Sequence, residues 1–226
     1  MLDKAQNIPT NACDHCAFAS TTTERKASFS DSRKEMIIRS NDFLFKEEQL
    51  AMGIFCVEAG TLLTLKQAES KATVLNVIKP GHILGTNAIT SATYQYSVKG
   101  LTDAKVCFIP KPLVIKLMNE HLPFKLAIMK ALCQEIEATQ QKSLSLIYKS
   151  SKQRIATLLL EVADTIRSQS REKASIYFVP EEFAGLVGIA AKSLMKILHE
   201  FEQKQWVQCR KNQLMVLNAN ALGKLL

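Results

Sequence analysis

No apolar run in these 226 residues approaches the roughly 20 needed to cross a bilayer as a helix. The opening stretch, MLDKAQNIPTNACDHC, lacks the apolar segment of a secretory signal. A cytoplasmic chain with no membrane partner is therefore expected. Its six cysteines (Cys13, Cys16, Cys56, Cys107, Cys133 and Cys209) are scattered, and in that compartment they are expected to stay reduced. Also missing are a G-x-S-x-G, a P-loop, an H-E-x-x-H and a dinucleotide fingerprint, and no recognisable Ser, His and Asp arrangement takes their place. The expectation is that the chain is not an enzyme. Two further absences are local. From residue 113 to 148 there is no glycine, and Pro123 is the only proline; no arginine lies between Arg39 and Arg154.

Hydrophobic residues make up 47% of the chain, enough for a buried core, and the net charge is +8. A basic balance fits either a polyanionic partner or plain solubility. Residues 151–226 carry 11 basic and 7 acidic residues, against 18 and 14 in residues 1–150, so positive charge is denser in the smaller C-terminal part.

Residues 1–35 are polar and read as an arm holding the one close cysteine pair, Cys13 and Cys16. Short β-prone segments follow at 36–38, 53–57, 61–65, 73–78, 94–98 and 105–109. Turn signals at Glu58-Ala59-Gly60 and Lys79-Pro80-Gly81 separate them. Many short strands at this spacing suggest a barrel or a sandwich. The glycine-free stretch predicts helix, with Pro123 in the first turn of a new one. Within it Met129, Leu132, Ile136, Thr139, Ser143 and Leu146 recur at steps of three and four. This is the spacing of a coiled-coil seam, or of an ordinary amphipathic core helix. The chain then reads as 1–120, an arm and a strand-rich domain; 121–150, a dimerisation helix; and 151–226, a separate domain.

That last part orders itself as helix (152–168), polar break (169–175), strand (176–179), helix (180–187), helix (190–204) and a hairpin of strands 206–209 and 214–217. This is the plan of a winged helix-turn-helix. In the second short helix, Leu194, Ile197, Leu198 and Phe201 form one stripe for the core. Lys192, Met195, Lys196 and His199 share another face, and with Ala191 and Ser193 they would meet base edges in a major groove. Lysine can reach guanine or phosphate, and methionine can touch a thymine methyl. Arg210 and Lys211 at the hairpin tip would lie near phosphate. A solvated basic face is the competing reading, and a winged helix that binds protein, making the chain an adaptor, is the alternative function.

Five segments in order carry a resemblance to a known family. They are Phe45-Lys46-Glu47-Glu48; Gly53-Ile54-Phe55-Cys56-Val57-Glu58-Ala59-Gly60; Lys79-Pro80-Gly81-His82-Ile83-Leu84-Gly85; Lys105-Val106-Cys107-Phe108-Ile109-Pro110; and Leu186-Val187-Gly188-Ile189 through Leu194-Met195-Lys196-Ile197-Leu198. Together they resemble the Crp/Fnr family of bacterial regulators over roughly residues 40–222. The resemblance implies an α+β chain with an N-terminal double-stranded β-helix (jelly-roll) barrel of the cyclic-nucleotide-binding type, a long dimerisation helix and a C-terminal winged helix-turn-helix. It implies a homodimer on an inverted-repeat DNA operator, with RNA polymerase as a further partner, switched by a signal at the barrel.

The family's barrel suggests an effector pocket around Gly85, Thr86, Tyr94, Gln95 and Tyr96. Cyclic AMP is not expected there. Members that bind it resemble "G-E-x-x…R-S-A", whereas Thr86 follows Gly85 here and the arginine position falls near Tyr94. Cys13, Cys16 and Cys107 resemble part of the thiolate set of cluster-bearing members, but Thr22 stands at the third cysteine position. An iron–sulfur cluster, zinc, a redox pair and haem stay open as cofactors, as does an organic effector. On the DNA side Lys192 and Lys196 replace the family's Glu and Arg, so its usual operator is not assumed.

Overall fold

The computed structural model describes residues 34–68, 71–169 and 175–226. Among the described residues its N-terminal part holds eight strands: β1 (Lys34–Ile38), β2 (Phe43–Phe45), β3 (Gly53–Ala59), β4 (Leu62–Ala68), β5 (Lys71–Ile78), β6 (Ile83–Leu84), β7 (Ser97–Gly100) and β8 (Ala104–Pro110). They form two four-stranded sheets, ordered β1-β8-β3-β6 and β2-β7-β4-β5, which face each other as a jelly-roll barrel.

Strand β3 explains why this part needs the helices that follow it. Successive side chains of a strand point to opposite faces. Phe55 and Val57 enter the barrel interior with Phe45, Leu62, Val98 and Val106. Ile54 and Cys56 point the other way, into a second cluster with Cys107, Ile109, Val114, Phe124 and Ile128. The last three belong to α1 (Lys111–Glu120) and α2 (Leu122–Tyr148). The break between those helices is local chemistry. His121 is extended, its Nδ1 accepts the Phe124 N–H at 3.2 Å, and Pro123 occupies the first turn of α2, where its missing N–H costs nothing.

At 27 residues, α2 is about 40 Å long. Only Phe124 and Ile128 on it are buried. Its middle and far end carry exposed apolar residues.

The C-terminal part runs α3 (Ser151–Gln169), β9 (Ser175–Tyr177), α4 (Pro180–Val187), α5 (Ala191–Gln203), β10 (Val207–Arg210), β11 (Gln213–Val216) and α6 (Ala219–Gly223), with a sheet ordered β10-β11-β9. This is a winged helix-turn-helix. Gly188 ends α4 at φ 66°, a left-handed conformation that glycine adopts without steric cost. A side chain there would also collide with Leu146 Cδ2, 2.6 Å from the ideal Cβ position.

The predicted elements shift in a few places. Residues 94–96 lie outside β7, which begins at Ser97, because backbone groups there bond elsewhere: Tyr94 pairs with Glu48 and Gln49, and the Gln95 carbonyl accepts from the Lys66 ammonium at 2.7 Å. The Tyr94 hydroxyl donates to the Gly53 carbonyl at 2.8 Å, and the Tyr96 hydroxyl accepts the Gly85 N–H at 2.9 Å. Strands β2 and β6 and helix α6 have no counterpart among the expected elements; at two to five residues they are too short to show a period. Glu58 and Ala59 continue β3 rather than turning, and the turn itself falls at Gly60, φ 84°. The polar break falls mostly on residues outside those described.

The winged domain docks on the barrel of its own chain. Leu63, Leu65, Val74 and Leu101 share one buried cluster with Leu159, Phe183, Val187 and Leu198. Helix α4 lies close on β5: the ideal Cβ of Gly185 stands 3.3 Å from the Val74 nitrogen.

Candidate nucleic-acid interface

The two stripes of α5 separate as helical spacing requires. Leu194, Leu198 and Phe201 are buried, and Ile197 is half-buried. Lys192, Ser193, Met195, Lys196 and His199 are all exposed. Ala191 is different: it is half-buried and packs against the domain core. Preceding it, Ala190 offers no side-chain cap, and no acid lies in the first turn of α5. The helix therefore presents unpaired N–H groups, the positive end of its dipole and two lysines at the same end, an arrangement suited to phosphate and base edges.

Other side chains hold α5 within its domain. Glu202 Oε1 accepts the Cys209 N–H at 3.0 Å, tying α5 to β10. Glu200 pairs with Lys152 of α3, and this ammonium holds its carboxyl below the usual range. Lys204 lies 4.8 Å over the Trp206 ring. At the tip of the β10–β11 hairpin Arg210 and Lys211 are exposed, and Lys211 takes the left-handed conformation (φ 48°) that the tight turn demands.

The barrel side is closed where the resemblance suggested a pocket. Tyr94 is 3% exposed and stacks on Phe45 with ring centroids 3.9 Å apart. Thr86 is buried at the start of a 3-10 turn (Thr86–Ile89) that Gly85 begins at φ 72°, while Gln95 points to solvent. Burial pushes the Tyr96 hydroxyl up to about 12, against the opposing pull of the Gly85 N–H.

Of the five residues only Tyr96 lines the molecule's large cavity, of about 890 Å³, which runs between β5, β6 and α2 down to the junction of α2 and α3. Residues the sequence reading missed line its lower half. Half-buried Lys142 donates to the Leu75 carbonyl, and burial pushes its pKa down. At the far end Arg154 spans the joint, donating to Val187 O at 2.8 Å and Lys149 O at 2.8 Å. A long gap between arginines was legible in the sequence; the role of the arginine that ends it was not, because its partners are backbone carbonyls.

The seam residues Met129, Leu132, Ile136, Thr139, Ser143 and Leu146 are all exposed, and Leu122, Leu126 and Ile147 extend the bare apolar surface of α2. Thr139 and Ser143 turn their hydroxyls back to carbonyls four residues earlier, at 2.8 and 3.0 Å.

Cys13 and Cys16 lie outside the described residues. Cys107 is buried beside Cys56 in the cluster under α2. No group of three or more metal-binding side chains occurs among the described residues. With Thr22 at the third thiolate position and Cys107 enclosed by apolar side chains, these residues do not fit a four-thiolate cluster.

Comparison with known proteins matches both halves. Residues 35–121 fit the model of the cyclic nucleotide-binding domain, and residues 153–225 fit that of the Crp-like helix-turn-helix domain. The transcriptional activator protein Anr of Pseudomonas aeruginosa is 22% identical, over 98% of this chain and 95% of its own length. The structure of FixK2 from Bradyrhizobium japonicum superposes with a TM-score of 0.68 at 15% identity, covering 85% of this chain and 96% of that one. An Eubacterium rectale protein described as a transcriptional regulator of the Crp/Fnr family superposes at 0.75 with 16% identity, covering 94% and 98%.

Proposed function

Because this chain belongs to the Crp/Fnr family and is a DNA-binding transcription regulator, we propose that it works as a homodimer whose two α5 helices read an inverted repeat through Lys192, Ser193, Met195, Lys196 and His199. One observation carries this reading: the five side chains stand together on the outer face of a helix whose opposite face is buried. Arg210 and Lys211 follow the phosphates beside it. The second copy covers the bare surface of α2, since a row of exposed apolar residues on a helix of 27 residues is stabilised by a like row. A two-fold dimer then places its half-sites about one DNA turn apart.

The effector, an organic molecule rather than cyclic AMP, enters the cavity beside α2. The family's phosphate turn is occupied here by Tyr94 and its ring partners, while the cavity touches both α2 and the joint at Arg154. A ligand there biases the angle between the dimer helix and the reading head. RNA polymerase is the machinery such a bound dimer acts on, in the cytoplasm. Among the described residues no helix is long and apolar enough to cross a membrane.

The test is selection of duplexes from a random pool by the full chain, with sedimentation of the complex. Enriched sequences with two-fold symmetry, bound by two chains, are expected. Enrichment of nothing, or of asymmetric sites by single chains, contradicts the reading.

A further inference from the structure

Strand β7 holds a lysine almost entirely out of water. Lys99 is 5% exposed, and its ammonium donates to Asn41 Oδ1 at 3.1 Å and to the carboxylate of Glu182. Asn41 belongs to the barrel. Glu182 does not: it lies in the first turn of α4, 83 residues further along the chain, and is itself largely covered. The sequence offers Glu182 a local role, as an acid at the positive end of a helix, but exposed Glu181 already fills it.

Apolar contact between α4 and β5 is non-directional and would tolerate sliding or rotation of one on the other. A buried charge pair behaves differently. It adds little net stability, because both groups lose their water, yet any displacement that parts them leaves a charge uncompensated. One arrangement of the two domains is therefore selected over its neighbours. Helices α4 and α5 share a core and are joined through Gly188, so whatever fixes α4 fixes α5.

We propose that the Lys99–Glu182 pair is a latch between sensor barrel and DNA-binding domain, and that Lys99 is a positioning residue which sets the angle at which α5 is presented. In a dimer that angle determines the spacing of the two reading heads. The inference rests on the DNA-binding reading above and adds a selectivity for half-site spacing.

Four full-length proteins test it: the wild type, Lys99→Met, Glu182→Gln and the exchanged pair Lys99→Glu with Glu182→Lys. Without DNA, hydrogen exchange is followed at the amides of β5 and α4. Both single variants are expected to exchange there about tenfold faster or more, with β3 and β8 unchanged, and the exchanged pair to recover. With DNA, binding is compared on the selected operator and on versions with one base pair added or removed between half-sites. The wild type prefers its own spacing, the single variants lose that preference, and the exchanged pair regains it.

Single variants that exchange and discriminate like the wild type overturn the latch. So does an exchanged pair as damaged as the singles, since burial alone would then explain the effect. Should Lys99→Met fail to fold, Glu182→Gln, at the rim of the contact, carries the test. If the wild type bound no duplex, the DNA reading would fall separately, and the exchange arm would decide on the latch.

Discussion

The turn after Gly85, where the family resemblance suggested a ligand, and the outer face of α5 are built in opposite ways. At the turn, Tyr94 and Tyr96 fold inward, stack near Phe45 and satisfy backbone groups of Gly53 and Gly85. On α5, Lys192, Met195, Lys196 and His199 face solvent, and none of the first turn is capped by a side chain. The protein occupies its first surface with its own rings and leaves the second bare. Helix α5 thus keeps its polar face free, while the turn after Gly85 is filled by a packed aromatic cluster.

That contrast can be broken at several points. Tyr94→Ala removes a buried ring and is expected to cost about 3–5 kcal/mol in denaturant unfolding, with the folded fraction still binding its operator. A variant as stable as the wild type would mean that the ring is a replaceable pocket lining. Lys196→Ala is expected to do the converse, weakening the cognate operator by about 1–3 kcal/mol with the melting temperature unmoved. Gly188→Ala strikes the joint between helices and is expected to cost about 1–2 kcal/mol of stability from its left-handed backbone, with the collision against Leu146 added.

The smallest effect is one of pH. Burial lowers the Lys142 pKa, so between that value and the ordinary lysine value of about 10.4 the unfolded chain binds more protons than the native one. Stability attributable to this group therefore rises as pH climbs through that window. Lys142→Met should flatten the rise when the denaturant midpoint is followed against pH. An identical pH profile in the variant would remove Lys142 from the buried wall of the cavity.

How much was legible follows from how local each feature is. The α5 stripes were readable because helical spacing alone separates Leu194, Leu198 and Phe201 from Lys192, Met195 and Lys196, and the limits of α4 followed from Pro180 and Gly188. Strands β3, β4, β5 and β8 announced themselves through apolar runs between turn residues. Hidden from such reading was everything fixed by contacts across the chain. Tyr94 and Tyr96 look like strand residues until the barrel closes around them. Glu182 looks like a helix-start acid until β7 brings Lys99 beside it, and Arg154 looks like a surface charge until two helix ends converge on it.

The most direct test of the central claim, that exposed lysines on α5 grip a duplex, is the salt dependence of operator binding by the wild type and by a Lys192→Ala and Lys196→Ala double variant. Wild-type affinity should fall steeply and log-linearly with salt, and the double variant should bind more weakly, with a slope shallower by about four, since each of the two chains loses two lysines. Equal affinities and equal slopes would contradict it.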